Sequence, residues 1–253
     1  LIEWVFEKNV CSFDDMTNLP KAFREQLKEA FAFDTPTELT KQVSKDGSRK
    51  YLLEYHDGVS VETVGMPRRN KLSVCVSTQA GCGMGCAFCA STLGGLVRRL
   101  RPSEMLDQIY QIQRDTGERV SNVVVMGSGE PLDNYDNLIR FIHLLTEEGG
   151  LHISQRNVTV STCGLVPKIY DLAKEKLQMT LALSLHAPND VKRRELMPIA
   201  NKYDIEEVID ACKYYFSKTG RRVTFRILAR ETTGHMRFFI CLLYTSPSPR
   251  DYA

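Results

Sequence analysis

QAGCGMGCAFCAS, residues 79–91, places three thiols, Cys82, Cys86 and Cys89, in a CxxxCxxC run with small residues between them. A structural zinc site takes four ligands, commonly as two close pairs separated by a loop. Cys11, Cys75, Cys163 and Cys212 are scattered singly and supply no second pair. A ferredoxin-like carrier gives four thiolates to each cluster, at other spacings. Three thiolates on a four-iron cluster leave one iron open, able to bind a small chelating ligand and pass it an electron. The run follows a strand-like LSVCVST (72–78), which puts it at the C-terminal mouth of a βα fold, where such folds build active sites.

Outward from this run, strands and helices alternate. The periodicity predicts helices near 103–116, with Ser103 as cap, and over 134–147, 166–176 and 204–218. Strands are expected at 122–129, 157–162, 178–187 and 221–228. Each reads as a short apolar run, as in a parallel sheet covered by helices. The fold class is therefore α/β, a βα barrel or a doubly wound sheet. Upstream, residues 1–35 read as helical, with Phe23, Leu27 and Phe31 at a helical interval. Residues 50–66 read as a hairpin around Asp57-Gly58. The expected division is an accessory region over 1–66, a βα core over 67–228 and a foreign tail over 229–253, artefactual in origin. Cys241 lies in that tail and receives no role.

The chain has 253 residues, 43% hydrophobic and 25% charged, which describes an ordinary globular protein. A formal net charge of +2 is too small to argue for nucleic acid by itself. No apolar stretch is long enough to span a bilayer and no signal peptide is visible, so the cytoplasm and metal-ligating rather than paired cysteines are expected. The first residue is Leu1, and residues missing upstream are expected.

Four stretches in order carry a resemblance: CVSTQAGCGMGCAFCAS (75–91), MGSGEPLDNYDN (126–137), VTVSTCGLVP (158–167) and ALSLHAPNDVKRRELMPI (182–199). Phe88 stands where CxxxCxφC carries an aromatic. Together they resemble the radical SAM superfamily and, within it, the bacterial adenine C2-methyltransferases of 23S rRNA and tRNA, over about residues 3–225. The resemblance implies a partial (β/α) barrel of the radical SAM type with a helical and β-hairpin accessory region. It also implies a [4Fe-4S] cluster on Cys82, Cys86 and Cys89, with S-adenosyl-L-methionine as second cofactor. Gly129 and Glu130 would then contact the methionyl part, and Ser161, Ser184, Leu185 and His186 would line the same pocket. Cys75 would take the proton from the adenine carbon and help release the methylated base, and Glu62 would act as a proton acceptor.

Each of these residues has a plainer reading. Gly127–Pro131 can be a tight turn, Ser161 a strand end or helix cap, and His186 a core histidine. Cys75 can be a small buried hydrophobe, and Glu62 a solvent-facing strand residue. Three basic groups, Arg68/Arg69/Lys71, Arg98/Arg99/Arg101 and Lys192/Arg193/Arg194, are solvated faces or one phosphate-binding surface at the C-terminal rim.

The partners implied are 23S rRNA, tRNA and an electron donor such as flavodoxin or ferredoxin, with no membrane. A disulfide bond is a further family feature. In the implied route one S-adenosylmethionine methylates an enzyme cysteine, and a second yields the 5′-deoxyadenosyl radical that activates it. The methyl-accepting cysteine of the family has no counterpart here, so the expectation is a core truncated at both ends that does not complete methyl transfer. Adenine C8 methylation and an iron–sulfur electron carrier stay open as alternatives.

Overall fold

A computed structural model describes residues 1, 3–69, 71–230 and 236–244, with the backbone alone for 228–230 and 236–244. In chain order the elements are α1 (Lys21–Ala30), β1 (Thr37–Val43), β2 (Arg49–Glu54), β3 (Ser60–Arg68), β4 (Lys71–Cys75), β5 (Gln79–Gly81) and β6 (Leu96–Arg99). There follow α2 (Pro102–Thr116), β7 (Val120–Val125), α3 (Tyr135–Thr146), β8 (Val158–Thr162), α4 (Val166–Lys174) and β9 (Thr180–Ser184). The chain continues through α5 (Asp190–Leu196), α6 (Ile205–Thr219), β10 (Val223–Arg230) and β11 (Met236–Tyr244).

Among the described residues one nine-stranded sheet runs β1-β2-β3-β4-β7-β8-β9-β10-β11, and β5 and β6 form a small ribbon. β4, β7, β8, β9 and β10 are parallel, joined by helical crossovers. β1 to β3 extend the β4 edge as an antiparallel meander, and β11 pairs antiparallel with β10. This is the α/β parallel core expected of a partial barrel, and its two edge strands are not paired with each other among the described residues.

The strands alternate more strictly than a sheet covered on both faces requires. Leu72, Val74, Val123, Val125, Val158, Val160, Leu181, Leu183, Val223 and Phe225 are buried under the helices. The intervening positions, Ser73, Cys75, Asn122, Thr159, Ser161, Ser184, Thr224 and Arg226, are only half-buried. Register partners share a face of a sheet, so these polar positions line up across the strands on the face away from the helices. The helices supply the matching apolar stripes: Met105, Leu106, Ile109 and Ile112 recur at helical spacing on α2 and are buried. Gly117 and Gly220, both left-handed, end α2 and α6.

Several expected boundaries move. The first 35 residues hold one α-helix, α1, after two short helical turns. Of its expected stripe only Leu27 is buried, Phe23 and Phe31 being exposed. Ser103 does not cap α2: the helix starts at Pro102, and the Glu104 side chain returns to the Arg101 N–H at 2.7 Å. β1, α5 and the β5–β6 ribbon were not anticipated. β11 falls within the segment read as a foreign tail, and residues 231–235 and 245–253 of that segment lie outside the described residues.

Asp115, at the C-terminal end of α2, fastens the meander to the core. Its carboxylate accepts from Lys41 Nζ at 2.6 Å, Arg49 at 2.7 Å and the Tyr51 hydroxyl at 2.7 Å. Burial pushes Asp115 up, but these three donors outweigh it and hold the carboxyl at about 2. A carboxyl depressed in the folded state adds stability above its unfolded value and loses it as pH falls toward the folded one. Asp115→Asn is expected to cost about 1–2 kcal/mol at neutral pH, a figure reduced for residual solvent access. Urea titrations should show it, together with a shallower loss of stability between about pH 4 and 2 than in the wild type.

Candidate active site

Beyond β4 the chain continues alongside β7. Val76 N–H donates to Val124 O at 2.9 Å, and Thr78 and Gln79 N–H both donate to Ser128 O, at 2.9 and 3.2 Å. The loop after β7 is thus pressed onto 76–79. A Cβ on Gly129 would stand 2.6 Å from Gln79 Cβ, and one on Gly127 would stand 2.8 Å from Ser77 N. Gly129 also has φ +101°, a conformation side chains disfavour. The atoms that leave no room for a side chain at Gly127 and Gly129 belong to Ser77 and Gln79.

Buried polar groups satisfy one another along this seam. Gln79 is fully buried, its Oε1 accepts from Glu130 N–H at 2.8 Å, and its Nε2 donates to Asp133 at 2.7 Å. Gln108 from α2 clamps both backbone groups of Ser77, at 2.8 and 2.9 Å, and Ser128 N–H donates to Ser77 Oγ at 2.8 Å. Asn134 donates to Thr78 O at 2.9 Å and Leu100 O at 2.8 Å.

Glu130 is 4% exposed. One carboxylate oxygen accepts from Leu132 N–H at 3.1 Å, and the other accepts from Cys163 N–H, just past β8, at 2.8 Å. Burial raises its pKa against these donors. Cys163 O in turn accepts from Arg193 at 2.8 Å, and a second Arg193 nitrogen reaches Tyr203 O at 3.2 Å. Arg193 is wholly buried. It therefore leaves the basic surface in which the sequence reading placed it and becomes the peg that seats α5.

The same helix supports the thiol loop. Leu196 O accepts from Ala87 N–H at 2.9 Å, and Met197 packs with Cys86 and Cys163 inside a small apolar cluster that includes Met84, Phe88 and Cys89. The β5–β6 ribbon closes the base of the loop, where Cys82 N–H donates to Gly95 O at 2.9 Å. Phe88 meets His186 edge-on with ring centroids 4.7 Å apart. His186 has φ +60° and donates its N–H to Arg226 O at 3.0 Å. Burial, then Arg226 and Arg193, lower its pKa to about 4, so the ring is neutral at pH 7.

The structure thus brings Cys82, Cys86, Cys89, Glu130 and His186 to one end of the sheet, with Leu185 buried beside His186. Ser161 and Ser184 lie on the face away from the helices, the inner (concave) face as in a barrel, near the C-terminal ends of β8 and β9, and Ser161 Oγ donates to Val125 O at 3.1 Å. Cys75 ends β4 on the same face, opposite Val64. Burial raises its thiol pKa, and the Arg226 charge works against that. Glu62 lies two residues from Val64, a diagonal neighbour of Cys75 about 7–8 Å away. Its carboxylate holds Lys50 Nζ at 2.9 Å. Gln79, Gln108 and Lys50 were missed; for the two buried glutamines the available signal was a polar residue where an apolar one was due.

The basic groups separate. Arg98 is bound by Glu104 and Asp57, Arg99 by Asp133 and Arg101 by Asp34 and Glu104. Arg68, the last residue of β3, and Lys71, the first of β4, sit at the end of the sheet away from the thiol loop. The expected disulfide is not found: the seven cysteines whose side chains are described are free.

The model of the radical SAM superfamily matches residues 76–233, and that of a ribosomal RNA large subunit methyltransferase N-terminal domain matches residues 1–32. The chain belongs to the radical SAM superfamily. Among RlmN relatives, a "Probable dual-specificity RNA methyltransferase RlmN" of Lachnospira eligens is 62% identical over 226 residues, 89% of this chain and 65% of the relative. That of Clostridium novyi is 53% identical over 226 residues, 89% of this chain and 66% of the relative. A radical SAM methyltransferase structure from Sphaerobacter thermophilus superposes with a TM-score of 0.85 at 39% identity, covering 92% of this chain and 71% of that one. The chain spans just under two thirds of the curated relatives it matches.

Radical SAM membership implies a [4Fe-4S] cluster and S-adenosylmethionine, and the donor set fits the cluster. Burial, then the neighbouring Cys82 and Cys89, push the Cys86 thiol up to about 11, so the thiols crowd one another and a cationic centre is what would hold them as thiolates. No three candidate ligands converge on a single ion among the described residues. Convergence is the requirement of a mononuclear site, whereas the thiolates of a cluster bind separate irons. If Gly129 serves packing as described, Gly129→Ala lowers stability by about 1–3 kcal/mol, while Gly94→Ala, whose Cβ meets nothing within 4 Å, is near neutral. Thermal melts of the two variants compare them directly.

Proposed function

We propose that this chain carries the catalytic core of a radical S-adenosylmethionine enzyme that methylates C2 of adenine in 23S rRNA and tRNA. The observation that carries the reading is the shared placement of the three-thiol loop and Cys75. Both lie at the C-terminal end of the parallel strands, and Cys75 is on the open concave face. The names of the RlmN relatives and the match of the N-terminal segment support the RNA substrate.

Cys82, Cys86 and Cys89 would hold the cluster, with the fourth iron left to the methionyl group. When bound, the cluster and S-adenosylmethionine supply one-electron reduction, a carbon-centred radical and the methyl group. The chain's own residues orient and protect. Gly129 and Glu130 offer a backbone and a carboxylate to an α-ammonium group, a charge that the buried Glu130 carboxylate would pair with. Ser161, Ser184, Leu185 and His186 close the pocket along the strand ends, and the Phe88–His186 contact keeps the loop against β9.

Adenine C2 is not nucleophilic, so a polar methyl transfer to it faces a high barrier and radical chemistry is called for; the hydrogen that C2 carries must then leave as a proton to a base of the protein. Cys75 Sγ is the base in this reading and needs its thiolate form, which Arg226 favours and burial opposes. Glu62, steadied by Lys50, is a proton acceptor on the same face. A flavodoxin- or ferredoxin-type donor would supply the electron. No helix among the described residues is long and apolar enough to cross a membrane, and a ribosomal RNA substrate accords with the cytoplasm.

Anaerobic iron–sulfur reconstitution followed by electron paramagnetic resonance of the reduced chain tests the reading. The expected signal is that of a four-iron cluster, altered by S-adenosylmethionine and lost in Cys86→Ser. A cluster indifferent to S-adenosylmethionine, or thiols that take up no iron, would contradict it.

A further inference from the structure

The concave face carries a second polar site, at the end of the sheet away from the thiol loop. A cavity of about 280 Å³ is lined there by Arg68, Lys71 and Arg156, over Ser73, Asn122 and Thr159. No carboxylate lines it. Arg68 and Lys71 are direct register partners across β3 and β4. Like charges facing each other in this way repel. None of the three cations forms an ion pair or hydrogen bond with another described residue, in contrast to Arg98, Arg99 and Arg101. Three exposed, unneutralised cations around hydroxyl and amide groups make a site for an oxyanion that keeps part of its hydration.

Its position gives the anion an identity. Ser73 precedes Cys75 by two residues on the same face, a spacing of about 6.6 Å along a strand. Val124, another lining residue, is the register partner of Cys75. We propose that this cavity takes a backbone phosphate of the RNA strand that bears the target base. The inference rests on the reading that the base meets Cys75. RNA would then lie across the concave face from the thiol end to the basic end, not on the C-terminal rim alone. Contacts to phosphate fix position without reading sequence, so one cavity serves two RNAs of different sequence.

Fluorescence anisotropy of a fluorescein-labelled RNA stem-loop with a loop adenine, titrated with the purified chain across a salt series, tests the proposal. The variant removes all three cations (Arg68→Ser, Lys71→Ser, Arg156→Ser). A control removes three from the outer helices (Lys168→Ser, Lys174→Ser, Lys218→Ser) and changes net charge equally. Each lost contact to single-stranded phosphate lowers the slope of log K against log salt by about 0.7. The cavity variant should bind at least about tenfold more weakly, with a slope shallower by about 0.7 for the one phosphate lost, and the control should match the wild type. Because the three side chains lack partners, the cavity variant should melt no lower than wild type; single substitutions, each weakening binding in the same direction by a smaller factor while the matching single control does not, serve if it does. Equal losses in variant and control, or none in either, overturn the inference and leave the proposed function standing. Displacement of the RNA by inorganic phosphate at equal phosphate concentration would mark a free-phosphate site and also overturn it. A wild-type chain that binds no RNA overturns both.

Discussion

A single buried amide, Gln79, joins the two loops on which the site depends. Its oxygen takes the Glu130 N–H and its nitrogen donates to Asp133, while its backbone N–H reaches Ser128 O. Both loops lie beyond strand ends, where no ladder orders them, so their polar groups must be satisfied by side chains or stay wet. Gln79, Gln108 and Asn134 do this from the protein side, with the Asp133 carboxylate accepting from the Gln79 nitrogen. Leaving one such buried group unpaired costs about 1–3 kcal/mol. From Glu130 the connection passes to Cys163, then to Arg193, and through α5 back to the thiol loop at Ala87. The thiol loop is therefore braced through α5 as well as through the β5–β6 ribbon.

The strand alternation builds the other half of the site. Valines and leucines on one face bury themselves against α2, α3, α4 and α6, and this leaves the other face to small polar residues. A face of Ser, Thr, Cys and Asn contributes little to stability and much to chemistry. It positions Cys75 and Glu62 as near neighbours, and it grades from thiols at one end to unpaired cations at the other.

Much of this was legible in the residues. The βα rhythm gave the succession of strands and crossover helices along the chain, because each crossover helix carries its own period; the order of the strands in the sheet came only with the structure. The three thiols and Phe88 gave the loop, since ligands held by one short segment need no tertiary contact to be recognised. What was not legible depended on packing across the sheet. LSVCV, VTVST and TLALS were read as apolar runs, yet alternate Ser, Cys and Thr positions mark an open face. Arg193 looked like part of a basic surface because its neighbours Lys192 and Arg194 are basic; only the docking of α5 turns it inward. Phe23 and Phe31 keep helical spacing yet remain exposed, because period alone does not say whether a partner face exists. At Gly127 and Gly129 the atoms that exclude a side chain belong to Ser77 and Gln79, a close approach across the sheet that local sequence does not show.

Hydrogen–deuterium exchange with mass spectrometry, comparing the wild-type chain with Gln79→Ala, tests most directly whether the two loops are one pre-organised body. The account predicts lost protection at 127–132 and also at 162–164 and 86–89, segments Gln79 does not touch, while β7 and β8 keep theirs. Loss confined to the immediate partners of Gln79, with the Cys163 turn and the thiol loop unchanged, would contradict it.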